Sequence, residues 1–295
     1  MFKKVCMSMM TLVMVGGVSA SFANAETPEP KNDKIDEARE YILKSKEETI
    51  NLLEDLQKVN PTLENVEKTI DKYYKKNPAP KEIIKDKDLS LEDVFPDQVE
   101  EIEGTLNLNE FMSEKEKEVT QNDEDNFIKF KHNKGEVDVY VGETGGVFIL
   151  ETKTIDENNN ALSMTSKIGA LAAAQKVTKK ERTTGIAYNA FGGKMFTLWA
   201  QGSFNYNGKS VSVATQDGDY NRHFWGSTLN ITKPTLGKAR KEVVGSQTYS
   251  EVYSRLYYEA VFGIKWAGVT MKSGTVETYV GGSKNGHLYG SAKRI

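Results

Sequence analysis

Residues 195–215 read MFTLWAQGSFNYNGKSVSVAT, and this stretch decides the class of the second half of the chain. Phe196, Leu198 and Ala200 recur at period two, as on one face of a strand, while Trp199 falls out of phase with them. Asn207-Gly208 interrupts the run, and Val211 and Val213 then resume the alternation. Asn-Gly between two alternating runs is a strong hairpin signal, because a type I′ turn needs positive φ at both central residues. The stretch therefore predicts two antiparallel strands joined at residues 207–208.

The same texture continues outward. Asp217-Gly218 reads as a second turn, residues 220–231 as a strand, and Pro234 with Gly237 as a loop. In the long run 249–266, Val252, Ser254, Leu256, Tyr258, Ala260 and Phe262 share one face, with Tyr253, Arg255, Tyr257, Glu259 and Val261 on the other. Turns at residues 272–274 and 285–286 bound the last strands. Residues 184–295 are expected to form an all-β domain, an antiparallel sandwich or barrel.

Residues 26–160 have a different texture. Ile35, Ala38, Ile42, Thr49, Leu52, Leu56 and Val59 follow helical spacing, as do Leu63, Val66, Ile70 and Tyr73. Asn60-Pro61 between them reads as the stop of one helix and the cap of the next. Asn77-Pro78-Ala79-Pro80 ends this helical hairpin. Residues 86–125 hold 15 acidic residues against three lysines, yet Leu89, Leu91, Val94, Phe95, Ile102, Leu106, Leu108, Phe111 and Met112 punctuate them. A solvated linker has no need of such anchors, whereas a segment lying along another surface does. Residues 127–154 switch to period two around Asn133-Lys134-Gly135 and Gly145-Gly146, a small antiparallel β-meander. The expected class of this half is α+β.

At the front, Lys3 and Lys4, an apolar run and Ala23-Asn24-Ala25 have the form of a secretory signal at residues 1–25, with Ala25 as the cleavage residue. The run is shorter than a bilayer span. The only cysteine, Cys6, lies within it, so the mature chain is expected to have neither a disulfide nor a thiol nucleophile. Export without disulfides suggests a Gram-positive bacterium and an extracellular location. Residues 161–183 read as a linker, with a short helix at 168–174. Its basic end, Lys179, Lys180 and Arg182, is a candidate site for a trypsin-like processing protease.

Charge reverses near residue 160. Residues 26–160 carry 19 Lys plus Arg against 35 Asp plus Glu, a balance of −16, and residues 161–295 carry 18 against 7, a balance of +11. Charge asymmetry of this size concerns partners and solubility more than fold. Arg222, Trp225, Arg255, Lys265 and Trp266 represent a basic, aromatic-rich back half suited to an anionic cell wall or membrane surface. Export makes nucleic acid an unsuitable primary partner. The acidic half then becomes an intramolecular mask, effective only in close contact because salt screens charge beyond about 8 Å. On this view an isolated 184–295 fragment binds anionic surfaces more tightly than the whole chain.

Catalytic signals are weak. His223, with Asp217 and Asp219 nearby, is the one cluster suited to acid–base work. No Gly-x-Ser-x-Gly elbow accompanies it, and His132 and His287 read as surface residues beside turns. No metal site is expected, since Asp217 and Asp219 supply too few oxygens for calcium and no His or Cys spacing suits zinc. No cofactor is expected either, as no phosphate-binding Gly-rich loop joins a strand to a helix. In layout alone the chain resembles bacteriocin and toxin precursors of Gram-positive bacteria, which pair a pro-segment with a basic effector. That resemblance implies a non-enzymatic, processed protein acting on a cell envelope. The alternatives are an uncleaved cell-wall or matrix binding module and a secreted hydrolase using His223.

Overall fold

The computed structural model describes residues 30–59, 61–86, 89–98, 100–101, 104–155, 175–223, 229–244, 246–260, 269–270 and 273–290. Residues 1–25, expected as a secretory signal ending at Ala25, the short helix expected at 168–174, Trp225, Lys265 and Trp266 lie outside them. Helices α1 (Pro30–Gln57) and α2 (Leu63–Lys76) come first, then the short α3 (Lys81–Lys85) and α4 (Leu91–Val94). Strands β1 (Glu100–Glu101) and β2 (Gly104–Asn107) precede α5 (Leu108–Asn122). The expected meander follows as β3 (Phe127–His132), β4 (Gly135–Val141) and β5 (Val147–Ile155). Next come β6 (Lys176–Val177), β7 (Lys180–Tyr188), β8 (Lys194–Tyr206), β9 (Val211–Arg222) and β10 (Leu229–Val244). The last are β11 (Gln247–Ala260), β12 (Val269–Thr270), β13 (Ser273–Ser283) and β14 (Leu288–Tyr289).

Two main sheets result. One has seven strands in the order β3-β4-β5-β7-β8-β6, with β9 also paired to β8, and every pairing in it is antiparallel. The other has five, β10-β11-β13-β14 antiparallel and β2 parallel to β13. Among the described residues no strand pairing joins the two sheets into a closed barrel.

Apolar burial sets the layers. On one face of the seven-stranded sheet, Val137, Val139, Ile149, Ile186 and Tyr188 pack under Ile50 and Leu53 of α1 and Val66 and Ile70 of α2. On the other face, Tyr140, Phe148, Leu150 and Leu198 pack against Phe111 and Met112 of α5 and Leu256 and Val276 of the second sheet. Farther along, Phe204 and Val211 meet Val252 and Val280. A buried side chain of this size contributes about 1.5–3 kcal/mol, whereas an ion pair still in reach of water, such as the partly buried Lys194–Glu67 (2.7 Å), contributes about 1 kcal/mol. The apolar anchors of residues 86–125 therefore hold that stretch in place. Leu89, Leu91, Val94, Phe95, Leu106, Leu108, Phe111 and Met112 are all buried, while Ile102 is outside the described residues.

A buried amide completes the attachment of α5. Asn109 donates to the carbonyls of Tyr279 (3.0 Å) and Gly290, and accepts from Thr278 Oγ1 (3.0 Å) and the Tyr279 amide (3.1 Å). Helix α5 itself begins because Asn107 Oδ1 caps the amides of Asn109 and Glu110.

Several expectations are corrected. The charge reversal is not a boundary between sheets: β5 pairs with β7 over nine residues from Val147↔Tyr188 to Ile155↔Lys180, and β2 pairs with β13. Net charge reflects what faces water, and backbone pairing is indifferent to it. The linker expected to extend through residue 183 gives way to β6 and then β7, which starts at Lys180. The cap of α2 is Thr62, whose amide and hydroxyl both donate to Asn65 Oδ1, instead of Asn60. In α1, Leu53 is buried where Leu52 was expected; Leu52 is exposed, and so is Val59, just beyond the end of the helix. The hairpin at residues 207–208 forms with a four-residue loop. There only Gly208 has positive φ, and Asn207 Oδ1 accepts from Lys209 N, Ser210 N and Ser210 Oγ. Pro234 and Gly237 lie within β10 as irregularities in its register, not in a loop.

Asp217-Gly218 is not a turn but the middle of β9. A Cβ on Gly218 would lie 2.2 Å from Ser254 Oγ and 2.5 Å from the Gly237 amide nitrogen, so the glycine allows the two sheets to approach. Gly218→Ala is accordingly expected to destabilise the protein by about 1–3 kcal/mol, read as a lower melting temperature.

Two buried carboxylates generate a second prediction. Asp138, 3% exposed, is pushed up to about 7 by burial, which Lys129 at 3.8 Å offsets only in part and which Glu136 and Glu116 reinforce. Glu181 is likewise pushed to about 7 by burial, with Glu136 adding to the effect. The folded protein therefore holds protons that the unfolded chain releases near the ordinary carboxylate range. These groups favour folding fully below that range and lose their contribution as pH rises to about 7. Asp138→Asn is expected to raise the melting temperature at pH 7 more than at pH 4.5; an equal shift at both would contradict the assignment.

Candidate functional site

The helical hairpin covers only part of its face of the seven-stranded sheet. Register defines what lies on the remainder, since directly paired residues share a face. One cross-strand row runs Phe130, Val137, Glu151, Thr184, Trp199, Asp219, and the next runs His132, Gly135, Lys153, Arg182, Gln201, Asp217. Under the hairpin the rows are apolar. Beyond it they become polar, with one indole among them.

Trp199 stands at the centre of this corner. The Arg182 guanidinium packs on its ring at 4.1 Å, and Arg182 Nε donates to Gln201 Oε1 at 2.9 Å. Arg182 is thereby oriented by both partners, with its terminal nitrogens uncommitted among the described residues. Asp217 and Asp219, across β8 from it, are exposed; each accepts a hydrogen bond from the amide of the following residue. On the other side Glu151, 2% exposed, holds Lys153 at 2.6 Å and has His132 Nε2 at 3.9 Å. The His132 side chain is thus largely covered, at 8% exposed, unlike the surface histidine its turn suggests.

Toward α2 the strip continues through Thr197 to Lys194. His223 Nε2 lies 3.0 Å from Thr197 Oγ1, and Lys194 pairs with Glu67 of α2 and sits 5.4 Å over the Tyr188 ring. Burial lowers the His223 pKa, and Lys194 lowers it further against the opposing pull of Glu67 and Asp71. From Lys194 to Gln201 the strip spans about 23 Å at ~3.3 Å per residue.

The residues nominated from sequence separate into groups. Arg182, Asp217, Asp219 and His223 share this face. Asp219 is four residues from His223 along one extended strand, about 13 Å, so the two do not form an acid–base pair. Lys180 and Arg182 belong to a strand paired on both sides, with β5 and β8. A protease needs an extended segment free of partners, and among these candidates only Lys179 is an exposed connector between strands. Arg222 is opposite Phe196 and so on the other face of the sheet.

Arg255 lies on the second sheet and is not a bare cation. Its Nε and a terminal nitrogen donate to Glu277 Oε2 at 2.9 and 2.6 Å. Arg240 binds Glu251 at 2.7 Å and Glu277 at 2.7 Å, and both arginines pack on Tyr253. Tyr289 donates to Glu251 at 2.9 Å. Glu251 and Glu277 are buried, and Arg240 also pairs with the partly exposed Glu242 at 3.1 Å, so two arginines face three carboxylates. This is an internally satisfied network, not the cationic face expected around Arg255.

Among the described residues no group of three or more His, Cys, Asp or Glu side chains could hold a metal ion, and no helix is long and apolar enough to cross a membrane. No protein-family model, curated protein or solved structure matches the chain. The site is therefore read from its own chemistry. Sequence reasoning passed over Gln201, Thr184 and Glu151, which carry no motif. Trp199 did carry a signal: being out of phase with Phe196, Leu198 and Ala200, it had to lie on the face opposite their core.

A double-mutant cycle on Arg182→Ala and Trp199→Ala should give a coupling of about 0.5–1 kcal/mol in unfolding free energy, the range for a partly exposed cation–π pair. Additive effects would mean that the guanidinium does not rest on the ring in solution.

Proposed function

We propose that the protein is an exported, non-enzymatic binding module that works uncleaved and takes a polysaccharide of the cell envelope along β8. In this reading the two packed sheets are an antiparallel sandwich, and one open corner of it is the binding surface. The observation that carries the reading is Trp199 on that open face with Arg182 packed on its ring. An indole offers a flat apolar surface to a sugar ring, and Thr197, partly exposed on the same face, and the exposed Asp217 and Asp219 offer hydrogen bonds to hydroxyls, while Thr184 and Gln201 are buried beneath them. The strip's length suits an extended polymer better than a small molecule. Export rests on the signal-like residues 1–25.

The masked-precursor alternative has less support. β3–β5 and β7–β9 share one sheet, and β2 pairs with β13. Removing residues 26–160 would strip β7 of its partner and uncover Leu198, Leu256 and Val276. An isolated 184–295 fragment is therefore expected to aggregate before it can bind anything. A hydrolase has one point in its favour: the Thr197–His223 distance is that of a nucleophile and its base. Among the described residues, however, no hydrogen bond orients the second imidazole nitrogen, and the triad logic needs one.

The test is co-sedimentation of the mature protein with purified insoluble cell-wall polysaccharide. Trp199→Ala is expected to reduce the bound fraction by about tenfold, in the range for loss of one stacking contact, with the far-ultraviolet circular dichroism unchanged. His223→Ala should bind as the parent does. Retained binding by Trp199→Ala would reject the strip as the binding surface.

A further inference from the structure

The strip carries opposite charges along its two sides. On β9, Asp217 and Asp219 stand beside Gln201 and Trp199; on β7, Arg182 stands on the opposite side of the same β8 residues. Neighbouring strands are about 4.8 Å apart, so the carboxylate and guanidinium sides are separated by about 10 Å at the backbone. Gln201 lies between Arg182 and Asp217 in the register, and Trp199 next to it on β8 holds the Arg182 guanidinium on its ring. Among the described residues neither aspartate forms an ion pair, and the Arg182 terminal nitrogens have no carboxylate. On the second sheet, by contrast, Arg240 and Arg255 are paired with Glu242, Glu251 and Glu277. Among the described residues, the arginines are satisfied there and charges of both signs are left unpaired here.

From this arrangement we propose that the strip is selective for a zwitterionic glycan, one bearing ammonium groups toward β9 and acid groups toward β7, with a sugar ring on Trp199. The inference rests on the glycan-binding reading above and adds the charge pattern of the ligand. A uniformly anionic polymer would meet Asp217 and Asp219 with like charge. A polycation would meet Arg182, and a neutral chain would leave both sides unused. Lys153 does not upset the pattern, because Glu151 pairs with it at 2.6 Å.

The experiment measures binding of the mature protein at low salt to four soluble probes of similar length. These are neutral chitin oligosaccharide, cationic chitosan oligosaccharide, anionic hyaluronate, and N-deacetylated heparosan, which alternates glucosamine and glucuronate. The zwitterionic probe is expected to bind most tightly. Asp217→Asn/Asp219→Asn should weaken it about fivefold or more, and the same change should strengthen hyaluronate; Arg182→Gln should weaken the zwitterion and strengthen chitosan. Circular dichroism and melting temperature would confirm that the variants fold. Equal affinities for all four probes, or variants that weaken every probe alike, would overturn the charge selection while leaving glycan binding intact. If no probe binds and Trp199→Ala changes nothing, both readings fall together.

Discussion

Burial of the two faces of the seven-stranded sheet is the constraint on which the rest of the structure depends. Its strands alternate apolar and polar residues only in part, and β4, β5 and β7 present buried side chains on both faces. Such strands need cover on each side. Helices α1 and α2 supply it on one face, and α5 with the five-stranded sheet supplies it on the other. The cover on the first side is shorter than the sheet. Where it stops, the cross-strand rows change from valine and phenylalanine to threonine, glutamine, tryptophan and charge.

That incomplete cover connects the fold to the proposed function. A tryptophan within the covered area would be another core residue. On the uncovered corner it becomes a flat surface whose orientation is set by Arg182, and Arg182 is in turn set by Gln201. β7 and β8 beneath Arg182 and Trp199 are each paired on both sides, so this part of the platform is rigid without a disulfide. Electrostatics acts here in short-range arrangements instead of between whole halves. The acidic stretch is fixed by apolar anchors and by Asn109, and the two arginines of the second sheet are absorbed by buried glutamates.

Much of the local structure was legible from residue pattern. The helical hairpin, the meander and the long alternating strands all follow from periods of 3.6 and 2. Trp199's phase even indicated which side of β8 it occupies. Glycines were harder to read. Asp217-Gly218 has the composition of a turn, but Gly218 sits inside a strand because another sheet passes within 3 Å of its missing Cβ. Gly237, with positive φ, lies on the opposite side of that approach. A sequence shows that a residue has no side chain; it does not show what occupies the space.

By itself the sequence determined the helical hairpin, the meander and the long alternating strands, because hydrophobic period and turn chemistry are local properties of the chain. It also determined the reversal of charge near residue 160 and the anchors within the acidic stretch. Only the tertiary structure decided that strands from both sides of that reversal share one sheet, since pairing between distant segments depends on backbone hydrogen bonds that composition does not encode. The same holds for the open corner. Trp199, Arg182, Asp217 and Asp219 are separated along the chain and carry no common motif. Registered strand pairing brings them onto one face, beyond the reach of the two helices, where Asp217 and Asp219 are exposed and Trp199 and Arg182 partly so.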